Sequence, residues 1–248
     1  MVGAILTQNT SWTNVERALA NLRAAGMLSE EGIRGLPIDQ LEKLVHPSGF
    51  FRQKAKRLKD LGAFLDQKYS GSLDAMLNAP THQLREELLA LNGIGPETAD
   101  SILLYAAHHP IFVVDGYTRR VLERHDAVAA DAKYDELRTL VEHALQGERE
   151  LPMASRTKLD KKRPEAHAPS AMSTMPRAPL AQVYNEMHGL MVQVGKHYCR
   201  KQQPKCDLCP LGSMLLRPVQ ESSASPKALK QRSPSKPETS GKPAKSRL

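Results

Sequence analysis

Apolar positions recur at spacings of three and four along most of the chain, and runs that alternate Val, Ile or Thr with polar residues are nearly absent. This pattern predicts an all-α protein. It places helices over residues 2–8, 11–25, 37–46, 51–69, 72–78, 82–91, 96–108, 116–125, 133–146 and 180–197. Several have legible starts: Ser11, Pro37, Ser72, Thr81 and Asp115 each stand where a cap or first-turn residue belongs. Two stretches have no period, 148–178 (ERELPMASRTKLDKKRPEAHAPSAMSTMPRA) and 217–248, both rich in Pro, Ser, Lys and Ala. Neither can bury enough apolar surface to offset the entropy of ordering it, so both are expected to be disordered.

With 248 residues, 40% of them apolar, the chain is long enough for one or two domains with a real core. The formal charge of +8 suggests a polyanionic partner, but eight Lys/Arg against two Asp/Glu lie from Arg217 onward, so +6 of it resides in the tail. A solvated tail is the simpler reading of that excess, and non-specific phosphate contact the alternative. No run of about 18 apolar residues could span a bilayer and no signal peptide is legible, which predicts a cytoplasmic protein without a membrane partner. The three cysteines all fall between Cys199 and Cys209, an odd, clustered set that favours a metal or cluster site over disulfides.

Residues 91–100 read LNGIGPETAD, between the helical patterns HQLREELLAL and SILLYAA. Gly93 and Gly95 permit positive φ and close backbone approach, Ile94 can enter the core, and Pro96 suits a helix first turn. Helix, tight turn and helix would leave free amides at the second helix's positive end, a ready phosphate site; a plain αα-corner explains the same ten residues equally well. About twenty residues on, IFVVDGYTRRV carries Asp115 at a helix start. An N-cap is the ordinary role of such an Asp, but beside a phosphate-gripping hairpin it stands where a DNA sugar could be presented to it.

Together, LNGIGPETAD, VVDGYTRRV and CRKQQPKCDLC resemble, in order and spacing, the helix-hairpin-helix DNA glycosylase superfamily that includes endonuclease III, the adenine mismatch glycosylase and a 3-methyladenine glycosylase branch. The similarity runs from about residue 2 to 215, apart from the 148–178 insertion. It implies two α-helical domains, expected at 1–112 (a six-helix barrel with the hairpin) and 113–216, followed by the 217–248 tail. Duplex DNA with a damaged base would lie across the cleft between them, on a monomer at the bacterial nucleoid. It implies that Asp115 is the catalytic carboxylate, steadying the sugar cation as the N-glycosidic bond of a flipped base breaks. Gln8 would enter the gap left by that base and Phe50 would wedge beside it, although a core role next to Phe51 is an equal reading for Phe50. Gly93, Gly95 and Thr98 of the hairpin, with Lys54, are implied DNA contacts, and for Lys54 a solvated helix face is the alternative.

In the endonuclease III branch a lysine in the first turn after the hairpin forms a Schiff base; here Glu97 stands there, so a monofunctional glycosylase is expected. The wording GIGPETADSILLYA is closer to the alkylated-base branch. A lyase using another lysine, or a non-catalytic helix-hairpin-helix DNA binder, are the alternatives. The cysteines read C-x6-C-x2-C where the resemblance implies a fourth, five residues on, for a [4Fe–4S] cluster; that position is Leu215. Three readings stay open: a cluster on Cys199, Cys206 and Cys209 with another fourth ligand, zinc with an imidazole such as His197, or an empty loop. Lys201 and Lys205 keep the loop basic in each. The resemblance also implies a helix ahead of VGAILTQNT, for which Met1 leaves no room, so a late-assigned start or a less stable second domain is expected.

Overall fold

The computed structural model describes residues 1–147 and 177–216, and the two stretches expected to be disordered fall almost wholly outside them. Eleven α-helices carry the described chain: α1 Val2–Leu6, α2 Trp12–Ala24, α3 Glu30–Gly35, α4 Ile38–Val45, α5 Phe51–Tyr69, α6 Leu73–Leu77, α7 Thr81–Leu89, α8 Pro96–Tyr105, α9 Gly116–Arg124, α10 Tyr134–Ala144 and α11 Pro179–His197. Short 3₁₀ turns at His46–Ser48, Cys206–Leu208 and Gly212–Met214 complete it, and no strand occurs among the described residues.

The all-α expectation and its ten helices are borne out; α3 is additional. Its six residues, EEGIRG, include two glycines and bury only Ile33, too little for a period to show. Ser29 nevertheless caps it, accepting from the Gly32 N–H. Ser72 likewise accepts from Ala75 N–H, whereas Thr81 is the first helical residue of α7 behind Pro80.

Helix α5 is the central post. Its Ala55, Leu58, Leu61, Phe64 and Leu65 face inward, with α1, α3, α4 and α6 packed around it. One continuous apolar cluster runs from Ile5 on α1 to Leu137 and Val141 on α10 and Tyr184 on α11. Helix α7 lies on α8, α1 reaches across to α8, and α11 packs on both α8 and α9. The α9–α11 contact is tight, since a Cβ on Gly195 would fall 2.6 Å from the Tyr117 side chain.

Candidate active site

The turn between α7 and α8 is built from the inside. Ile94 is buried, anchoring the turn's apex. Gly93 has φ +81°, and a Cβ there would stand 2.1 Å from Arg57 Nε, so no other residue fits without moving that side chain. Gly95 is extended at φ −92° and a Cβ would meet nothing within 4 Å, so of the two glycines only Gly93 uses positive φ, while Gly95 keeps the outer side open. Pro96 occupies the first turn of α8, which no side chain caps, leaving its amide end to an outside anion. Behind the turn, the Gln8 amide donates to Gly93 O at 3.0 Å and to Thr98 Oγ1 at 2.8 Å, and Arg57 donates to Gln8 Oε1.

Asp115 is set by α10. Residues 111–114 are buried, and two of their amides are met by side chains: Phe112 N–H donates to Glu142 Oε1 at 2.8 Å, Val114 N–H to the Tyr134 hydroxyl at 3.2 Å. Arg85 of α7 donates to Asp100 of α8 at 2.7 Å and to Asp135 of α10 at 2.8 Å, fastening the three helices that frame this segment. The chain then turns into α9, and Asp115 Oδ1 accepts from the N–H groups of Tyr117 (3.0 Å) and Thr118 (2.7 Å).

The second oxygen, Oδ2, faces the His188 Nε2 of α11 at 3.7 Å, longer than a hydrogen bond but within ion-pair reach. Burial alone would raise the Asp115 pKa; the His188 imidazole and the Thr118 contacts outweigh it and hold the group below the usual carboxylate range. Glu97, in the first turn of α8, shows the opposite balance. Its side chain is open to solvent on one side, yet the protein around its carboxyl and then the charge of Asp115 push its pKa up, with His188 drawing it partly back. Asp115 therefore lies within electrostatic range of the helix that the glycine turn begins, on the same surface, and it stays anionic while its neighbour resists ionisation.

Residues 2–146 match the family described as "HhH-GPD superfamily base excision DNA repair protein". The chain belongs to that family. It is a DNA glycosylase, an enzyme acting on N-glycosyl bonds. It is 39% identical over 217 residues to the Methanocaldococcus jannaschii protein named "Putative DNA repair glycosylase MJ1434", covering 87% of this chain and 84% of that one. The solved structure of Helicobacter pylori 3-methyladenine DNA glycosylase (MagIII) bound to 1,N6-ethenoadenine matches with a TM-score of 0.61 at 31% identity, over 79% of this chain and 82% of that one. A non-covalent endonuclease III–DNA complex, at 21% identity and a TM-score of 0.61 over 87% and 80%, shares the fold.

Two expected DNA contacts of this glycosylase are corrected. Lys54 is 1% exposed, and its ammonium donates to Leu6 O at 2.9 Å and Ser48 O at 2.6 Å. Burial, then the nearby Arg57, lower its pKa. It braces α1 and the turn before α5 from inside, where no phosphate reaches. Thr98 is buried as well, its hydroxyl accepting from Gln8, so it supports the hairpin from behind. Phe50 resolves the other way: it is 61% exposed in a left-handed conformation at the head of α5, which removes the core reading. Gln8 is half-buried and bonded, and Lys201 and Lys205 are exposed on the cysteine loop.

That loop hangs on α9. Arg120 donates to Cys199 O at 2.6 Å and Gly195 O at 3.1 Å, and Arg124 to Cys199 Sγ at 3.3 Å and Lys201 O at 3.2 Å. Cys199, Cys206 and Cys209 line one small cavity with Tyr198, Arg124, His125 and Leu215; the imidazole lining it is that of His125. Among the described residues no group of three or more His, Cys, Asp or Glu side chains is placed to hold a metal ion. A four-thiolate cluster therefore does not fit these residues, because Leu215 fills the fourth place with an aliphatic wall. No described helix is long and apolar enough to cross a membrane.

Arg57, Tyr105 and His188 were not read from the sequence as site residues. The signal for His188 was its position four after Tyr184 and seven before Gly195, on the buried stripe of α11.

Proposed function

We propose that this glycosylase hydrolyses the N-glycosidic bond of a damaged base in duplex DNA without a lyase step, and that the damage is alkylation. The observation that carries the reading is Asp115 held as an anion beside Glu97 in the first turn of the hairpin's second helix. The hairpin, residues 91–98, grips the sugar–phosphate chain through Gly93, Gly95 and the uncapped amides of α8. DNA lies between a 1–112 unit and a 113–216 unit, with Phe50 wedged into the stack and Gln8 exchanging its present partners for the orphaned base. Lys201 and Lys205 face phosphate. As the bond breaks, its electron pair leaves with the base, and Asp115 steadies the positive sugar. Water then bonds to the anomeric carbon and its proton passes to the Asp115 carboxylate.

A carboxylate cannot form an imine, so Glu97 supports the monofunctional reading. The likeness to the H. pylori 3-methyladenine enzyme supports an alkylated base. The test is base release from duplexes carrying alkylated, oxidised or mismatched bases, with borohydride added in parallel. Release of alkylated base without a trapped covalent adduct is the expected result. An adduct would make the enzyme bifunctional, and release confined to oxidised bases would move it to another branch.

A further inference from the structure

The His188 side chain is 13% exposed, and its two nitrogens meet different fates. Nδ1 is paired with the Tyr105 hydroxyl of α8. Nε2 is inaccessible to solvent and has no hydrogen-bond partner, although Asp115 Oδ2 stands 3.7 Å away. A buried polar nitrogen left without a partner is unfavourable, so it is poised toward an acceptor that it has not closed on. The carboxylate has one oxygen to offer: Oδ1 is taken by the amides of α9, while Oδ2 is the oxygen turned to the imidazole.

The two neighbours together set the imidazole proton: a lone pair on Nε2 would face the Asp115 carboxylate, so the proton belongs on Nε2, and Nδ1 is then free to accept from the Tyr105 hydroxyl. Burial, then the charge of Asp115, raise the phenol's pKa, with Arg177 opposing, so the hydroxyl keeps the proton it needs to donate. A phenol donating to Nδ1 leaves the proton on Nε2. The groups facing His188 are Glu97 and Tyr105 from α8, Asp115 ahead of α9, and the edge-on ring of Phe112 at 6.3 Å. Of these, Asp115 is the group whose oxygen stands within ion-pair reach of Nε2.

We infer that His188 is the positioning residue of the catalytic carboxylate: Tyr105 and Asp115 together fix it as the Nε2–H tautomer, and that N–H holds Asp115 Oδ2 ionised and aimed at the sugar. This rests on the hydrolytic role given to Asp115 above. Because the His188 contribution lowers the Asp115 pKa, its loss moves the acid limb of the pH–rate profile to higher pH.

The experiment uses the full chain and a duplex carrying the lesion that the wild type releases best. His188→Leu is expected to lower kcat on the order of tenfold, leave binding of damaged duplex within about twofold, and shift the acid limb upward. His188→Gln, whose amide N–H reaches the place of Nε2–H, should return the limb toward the wild-type position, and Tyr105→Phe should fall between the two. Equal behaviour of the Leu and Gln variants, or an unmoved limb, overturns the proposal, since a merely space-filling role predicts both. In the free protein, ¹⁵N spectra of the imidazole at neutral pH should show the proton on Nε2, and a proton on Nδ1 overturns the assignment whatever the activity. A wild type that releases no base defeats the function proposed above, while the spectra still decide the tautomer.

Discussion

The hairpin with Asp115 and the cysteine loop sit at opposite ends of α9, and they differ in how completely their groups are matched. Around the hairpin the polar side chains that brace the turn have specific partners: Gln8 spans Gly93 and Thr98, Lys54 closes on two carbonyls, and Arg85 joins three helices. The cysteine loop has its scaffolding, from Arg120 and Arg124, but its interior joins three thiols to a leucine side chain. A loop can thus be fully mounted from outside while its interior combines thiols with an aliphatic side chain. Resemblance in spacing is stronger evidence for the hairpin, where Gly93 and Ile94 are also held by packing, than for the loop, where Leu215 stands at the fourth position.

The comparison breaks most sharply at Asp115. Asp115→Asn is expected to lower base release about 10²–10³-fold, with binding to damaged duplex retained, because the amide still accepts from α9 but carries no charge. Normal release would remove Asp115 from the chemistry and leave the hairpin as a binding device only. Next in size is Lys54→Ala, which leaves two buried carbonyls unmet and should cost about 2–4 kcal/mol in denaturant unfolding. A loss of DNA affinity with unchanged stability would instead return Lys54 to the phosphate contacts. Leu215→Cys sharpens the other half of the comparison with a smaller change: supplying the fourth thiolate should raise the iron content and visible absorbance over the wild type, measured by metal analysis and spectroscopy. Unchanged metal content would show that the loop has lost more than one ligand.

The longer helices were legible because their apolar residues repeat every three or four positions over many turns, as in α5 and α11, and several shorter ones through their start residues. Helix α3 was not, with one buried residue in six. Asp115 was legible through its spacing from the glycines and its place at a helix start. Lys54 was misread because KAKRLKD is crowded with lysines. Its register, four before Leu58 and seven before Leu61, puts it on the buried face, and periodicity applied to charged residues would have found it. Tyr105 and His188 could not be paired from the sequence, since 83 residues separate them and only the packing of α11 on α8 brings them together.

Helix α9 joins the two regions as a single rod of nine residues, about 13 Å long, with Asp115 at its head and Arg124 clasping the cysteine loop near its foot. There is no hinge between them. The carboxylate and the loop therefore share one stiff mount, and the direction in which Asp115 points is tied to how the loop seats on Arg120 and Arg124.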